Sequence, residues 1–159
     1  MLKKTKKHKP SRRGADFAIV ASKYNSVYVD SMLRAARRVL AESGAKSVKV
    51  VRVPGAFEIP VAAARIARSQ TPRYSAIICL GVILRGATTH AQHIGEAVSQ
   101  ALMQIQIESE VPVVHEVLLL ENKQQAIERC LNAEYNRGSE AASTALEMAA
   151  VMAGFSDDE

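Results

Sequence analysis

The densest chemical signal in the chain is GVILRGATTH, residues 81–90. Its pattern predicts a buried strand that ends near Leu84, turns through Arg85-Gly86-Ala87 and enters a helix at Thr88-Thr89. Small residues let a backbone approach an anion closely. A helix N-terminus adds unpaired N–H groups and a partial positive charge. With the Thr88 hydroxyl, Ala87 and Thr88 could cradle one phosphate. An ordinary βα turn with a threonine cap accounts for the same residues about equally well, and no GxxxxGK[ST] phosphate loop is present. His90 falls in the first turn of that helix. Imidazole is the side chain whose ordinary titration range suits proton shuttling near neutral pH. Without context, an exposed histidine with no task is the commoner case. His90, His93 and Glu96 share helical spacing, but no further ligand pattern accompanies them, so no metal is expected.

PGAFEIP (54–60) places Phe57 and Glu58 directly after a predicted strand, between two prolines. A carboxylate beside an aromatic suits a polyhydroxyl or a ring N–H. The plain alternative puts Glu58 in a helix first turn and Phe57 in the core. Tyr24-Asn25 follows the first predicted strand. Tyr24 could stack on a planar ligand, and Asn25 could bond it or shape the turn. Arg129 and Arg137 could each complete an anion site, although single arginines so placed are more often structural.

These residues need elements to hold them. FAIVAS (17–22), SVKVVRV (47–53), SAIICLGV (75–82) and VPVVHEVLL (111–119) read as strands. Between them run helical patterns. Ser26 is a candidate cap for the first, whose apolar positions are Val29, Met32, Leu33, Ala36, Val39 and Leu40, with Gly44 as its stop. Pro60 opens the second. Residues 89–108 form the longest, with Ile94, Ala97, Val98, Ala101, Leu102 and Ile105 as its buried stripe. Residues 122–131 form a short helix and 139–153 an Ala-rich terminal one. Continuous apolar strands alternating with helices predict an α/β, three-layer sandwich around a four-stranded parallel sheet covered on both faces. Ligands then gather at the carboxyl ends of the strands, where the residues above lie.

The 159 residues carry a net charge of +5, which first suggests nucleic acid. Seven of the 21 Lys and Arg lie in residues 1–13, with no acid; the other 146 residues are net −2. The expected organisation is a basic arm (1–15), one domain (16–153) and an acidic tail (154–159). Nucleic acid is not an expected partner, except through residues 1–13. Aromatics are too few for a base-stacking platform: three Phe, four Tyr and no Trp. No apolar run approaches the roughly 20 residues that span a bilayer, and the basic N-terminus lacks a secretory apolar core. Two cysteines outside any CxxC pair suit a reducing compartment, so a cytoplasmic location is expected.

SKYN (22–25), VPGAFEIP (53–60), GVILRGATTH (81–90), AIER (126–129) and NRGSEAA (136–142) together resemble the lumazine synthase family, in its order and spacing, over roughly residues 15–153. The resemblance implies a flavodoxin-like fold. It implies condensation of 5-amino-6-(D-ribitylamino)uracil with 3,4-dihydroxy-2-butanone 4-phosphate to 6,7-dimethyl-8-ribityllumazine, the penultimate step of riboflavin biosynthesis, with no cofactor. It also implies a homo-oligomer, a pentamer or a multiple of one up to a 60-subunit shell.

By that resemblance Tyr24 stacks on the pyrimidine with Asn25 beside it. Ala56, Phe57 and Glu58 line the ribityl side, and Ile83 and Leu84 offer backbone contacts to the ring. Ala87, Thr88 and Arg129 bind the phosphate, Arg129 reaching in from a neighbouring subunit, and His90 moves the proton. Arg137 stands where the family usually has Lys. His115-Glu116 stands where it commonly has Phe-Gly at the end of the fourth strand, its Phe serving the neighbour's ring site. LNAEYNRG (131–138) replaces a more Gly- and Lys-rich loop. A non-catalytic flavin- or lumazine-binding shell of the same fold is the alternative reading.

Overall fold

A computed structural model describes residues 14–156. The strands are β1 (Asp16–Ser22), β2 (Ser47–Val53), β3 (Ala76–Leu84) and β4 (Val113–Leu120). They form one parallel sheet in the order β2-β1-β3-β4. Alternation along β1 builds both cores. Phe17, Ile19 and Ala21 pack with Leu40 and Leu146 on one side; Ala18 and Val20 pack with Ile59 and Leu102 on the other. The central strands β1 and β3 have no solvated face and so read as continuous apolar runs, while the edge strands β2 and β4 keep exposed polar positions such as Lys49 and His115.

The helices are α1 (Ser26–Glu42), α2 (Ile59–Ala67), α3 (His90–Ser109), α4 (Lys123–Ala126) and α5 (Arg137–Ser156). Helices α1 and α5 cover one face, α2 and α3 the other. A 3-10 turn (Ala56–Glu58) leads into α2, and a π turn (Ile127–Leu131) follows α4. Among the described residues no helix is long and apolar enough to cross a membrane.

Several expectations shift. Ser26 does not cap α1: the N-cap is Asn25, in the left-handed conformation at φ 56°, ψ 41°, with no side-chain capping bond. Helix α3 begins at His90, not at Thr88-Thr89. Its expected buried stripe is only partly buried: Val98 and Leu102 are covered, while Ala97 is exposed. His115-Glu116 lies within β4, not at its end, because that strand runs to Leu120. Helix α5 is longer than 139–153 at both ends, so three residues assigned to the tail are helical. Residues 1–13 of the expected arm lie outside the described residues. Its last two are held: Gly14 N–H donates to Gly44 O at 3.0 Å, and Lys46 N–H to Ala15 O at 2.9 Å.

Candidate active site

Three strand exits build one cleft. Neighbouring strands β1 and β3 continue in opposite directions across the sheet, β1 to β2 and β3 to β4, so the chain cannot fill the crevice above their carboxyl ends. A cleft of about 920 Å³ opens there, lined by Tyr24 and Asn25 after β1, residues 55–58 after β2, and Val82–Leu84 with Gly86 and Thr88 at the exit of β3. His90, Ala91, His93, Ile94 and Ala97 of α3 form its opposite wall. Exposure of Ala97 on an otherwise apolar helix face has its reason here: the stripe faces a cavity.

Local bonds fix each exit. Lys23 N–H donates to Val53 O at 2.8 Å and Tyr24 N–H to Pro54 O at 3.0 Å, so the β1 and β2 exits stay joined past the sheet. Asn25 Nδ2 donates to Val82 O at 2.7 Å, tying the β1 exit to β3. Its left-handed backbone aims that side chain, a conformation asparagine tolerates better than most residues. Asn25 therefore shapes the turn, with its amide donor engaged.

The aromatic rings are open. Tyr24 is 74% exposed and Phe57 62%, which rejects a core role for Phe57. Two uncovered rings at a concave site are platforms for a planar ligand. Glu58 folds back, one carboxylate oxygen accepting from Gly55 N–H at 2.8 Å. That bond orients the carboxylate, and the second oxygen remains to accept from hydroxyls. A side chain at position 55 would meet this carboxylate at 3.0 Å, so glycine permits the bond.

At the head of α3 the Thr88 hydroxyl accepts a long 3.4 Å bond from His90 N–H, and the Thr89 side chain makes no capping bond. The remaining first-turn N–H groups are available to an anion. Gly86 leaves open space beside them, with nothing within 4 Å of where a Cβ would stand. His90 is exposed on the cleft wall. One turn on, His93 Nε2 lies 3.3 Å from Thr89 Oγ1. From sequence His93 reads only as an unsupported metal ligand, yet its i, i+3 spacing from His90 is the signal that both face one cavity.

Nine of the expected site residues meet here: Tyr24, Asn25, Ala56, Phe57, Glu58, Ile83, Leu84, Thr88 and His90. Ala87 sits exposed between two lining residues. His115, Arg129 and Arg137 do not line this cleft. His115 projects from β4 to Ser99 of α3, away from the cleft wall. Burial of part of its ring lowers its pKa from the ordinary imidazole value. Arg129 Nη1 reaches Gln125 O at 3.5 Å, within the α4–π turn segment. Arg137 begins α5, on the opposite face of the sheet. Its Nε donates to Glu116 at 2.7 Å and its Nη1 to Glu140 at 2.7 Å. Burial pushes the Glu116 carboxyl up to about 6, against the pull of Arg137. Cys79 and Cys130 are buried, with burial pushing each thiol up to about 12, so neither is a thiolate nucleophile near neutral pH.

Among the described lining residues there is no lysine or arginine. These residues supply stacking surfaces, a carboxylate, a helix N-terminus and an imidazole.

Comparison with known proteins adds a family. The model of the 6,7-dimethyl-8-ribityllumazine synthase family matches residues 14–153. A protein of that name from Desulfotalea psychrophila is 44% identical over 138 residues, covering 86% of this chain and 88% of its own. One from Xanthomonas oryzae pv. oryzae is 41% identical over 140 residues, covering 87% and 90%. One from Kineococcus radiotolerans is 39% identical over 143 residues, covering 89% and 87%.

Proposed function

The chain belongs to the 6,7-dimethyl-8-ribityllumazine synthase family, and on that premise we propose how its cleft performs the family's condensation. It is an enzyme of riboflavin biosynthesis that joins 5-amino-6-(D-ribitylamino)uracil to 3,4-dihydroxy-2-butanone 4-phosphate, releasing phosphate and water. The convergence of Tyr24, Glu58, Thr88 and His90 on one cleft supports these residues as its working parts.

An amine attacks a ketone and loses water to form an imine, phosphate leaves, and a second nitrogen closes the ring. None of these steps requires a protein nucleophile. They require two substrates held at reacting distance, an effect that can supply about 7 kcal/mol or more. Tyr24 and Phe57 offer faces for the uracil ring. The free oxygen of Glu58 receives ribityl hydroxyls. Backbone groups of Ile83 and Leu84 address the ring edge. Thr88 and the N-terminal N–H groups of α3, with Ala87 beside them, receive the phosphate. His90 accepts and returns protons across the cleft.

A phosphate bound without any cation would be weakly held, and the described lining residues include none. Arg129, Arg137 and His115 lie outside the chain's own cleft, as they must if each serves the cleft of an adjacent copy. The functional unit in this reading is a homo-oligomer with sites between subunits, a pentamer or a multiple of one. The two free, buried cysteines accord with a cytoplasmic enzyme. Lumazine absorbance tests the assignment: purified protein given both substrates should outpace the spontaneous reaction, and a rate equal to background would overturn it. His90→Ala should lower kcat by about a hundredfold, the scale of general acid–base catalysis, while binding of the uracil substrate stays within about twofold. Unchanged turnover would remove His90 from the mechanism.

A further inference from the structure

Arg52 interrupts the apolar end of β2, VVRV (50–53). Val48 and Val50 of that strand pack against the core beneath α1, so the pleat sends Arg52 to the same face. There its guanidinium meets three acceptors, each on a different residue. Nε donates to Ala21 O at 3.2 Å, and Nη2 donates to Ser22 O at 3.0 Å and to Asp30 Oδ1 at 2.7 Å. Ala21 and Ser22 end β1, and Asp30 lies one turn into α1. The Arg52 side chain is only 29% exposed, so these charge-assisted bonds are partly shielded from water.

Between the end of β1 and the start of α1 stand only Lys23, Tyr24 and Asn25. One planar cation therefore holds both ends of the loop that carries the cleft's Tyr24. The loop's own bonds tie it to β2 and β3, through Val53 O, Pro54 O and Val82 O. Arg52 adds the tie that fixes how α1 leaves β1. With its ring 74% exposed, Tyr24 is held little by packing, and its backbone sets where the ring stands. A lysine would bring the charge to one point, whereas the guanidinium fork meets the strand carbonyls and the helix carboxylate in one plane. We propose that Arg52, with Asp30, is a positioning residue for the condensation: it clamps the β1–α1 loop so that the Tyr24 ring stands ready for the uracil ring. This rests on the function proposed above, in which Tyr24 faces the uracil. Arg52 does not line the cleft and acts only through the loop.

Two measurements on the full chain test it. Hydrogen exchange reads the clamp without substrate. In Arg52→Met the Lys23 and Tyr24 amides should exchange about tenfold faster than in wild type, the scale of one charge-assisted hydrogen bond, while amides in the middle of β1 keep their protection. Unchanged exchange at Lys23 and Tyr24 would overturn the clamp, and equal loss along all of β1 would mean a merely structural arginine. In steady-state assays Arg52→Met should raise KM for the uracil substrate about tenfold, with kcat and KM for the butanone phosphate each within twofold. Arg52→Lys should lie closer to Arg52→Met than to wild type, and a wild-type KM in Arg52→Lys would refute the need for the fork. Asp30→Ala, the milder change, should raise the same KM about threefold, and should add nothing once Arg52→Met is present. An equal effect of Arg52→Met in wild-type and Tyr24→Ala proteins would show that Tyr24 is not what Arg52 positions. Wild-type protein without lumazine-forming activity would instead fail the functional assignment, while the exchange data still judge the clamp.

Discussion

Gly138 is the second residue of α5, where that helix crosses α1. A Cβ built there would stand 2.0 Å from Met32 O and 2.6 Å from Met32 C and Cα. An unstrained C···O contact needs roughly 3.3 Å, so Gly138→Ala must part the two helices by about 1 Å. The obstacle is backbone, which cannot swing away like a side chain. The seam that opens is packed by the fully buried Met32, Ala142 and Ala145. Overpacking ordinarily costs about 1–3 kcal/mol, and this geometry belongs at the upper end. A loss of about 3 kcal/mol corresponds to a Tm lower by roughly 6–12 °C for a chain of this size. Gly154 of the same helix is the control, because nothing lies within 4 Å of its missing Cβ. Gly154→Ala should be neutral or stabilise by up to about 1 kcal/mol, the ordinary gain of alanine over glycine in a helix. Urea unfolding of both variants at one protein concentration gives the comparison, since oligomer stability depends on concentration. Unfolding free energies for the two variants within about 1 kcal/mol of each other would refute the claim that backbone contact dictates this glycine. Arg137 precedes Gly138, so the same displacement should loosen its bond to Glu116.

Glu116 has a pH signature. Its carboxyl is raised from 4.5 to about 6 in the folded protein, so its stability contribution is full below pH 4.5 and lost as pH rises through 6. The step is about 2 kcal/mol. Urea midpoints across that window should fall in wild type relative to Glu116→Gln, and a wild-type-minus-variant difference independent of pH would contradict the raised value. Asn25→Ala loses the 2.7 Å bond to Val82 O and leaves alanine in a left-handed conformation. The sum is about 2–3 kcal/mol; calorimetry showing wild-type stability would mean that the β1 exit holds its shape unaided.

The alternation of apolar runs with helical patterns made the layer count and parallel sheet legible in the sequence, because strands buried on both faces must be apolar at every position. Residues at strand exits were legible for the same reason: chain order alone places them at one edge of a parallel sheet. Local chemistry was less so. Ser26 looked like a cap by residue type, but the cap is Asn25, chosen by a bond to β3 57 residues away. Phe57 had two readings until its exposure decided between them, and the stripe of α3 could not announce that it faces a cavity. His115 and Glu116 are adjacent in sequence, yet the pleat of β4 sends one to Ser99 and the other to Arg137, on opposite faces. Residue types and their order thus determined the family, the fold and the list of chemical groups. Tertiary structure decided which groups share a cleft, because distances between strand exits depend on sheet order and packing, which no local pattern encodes.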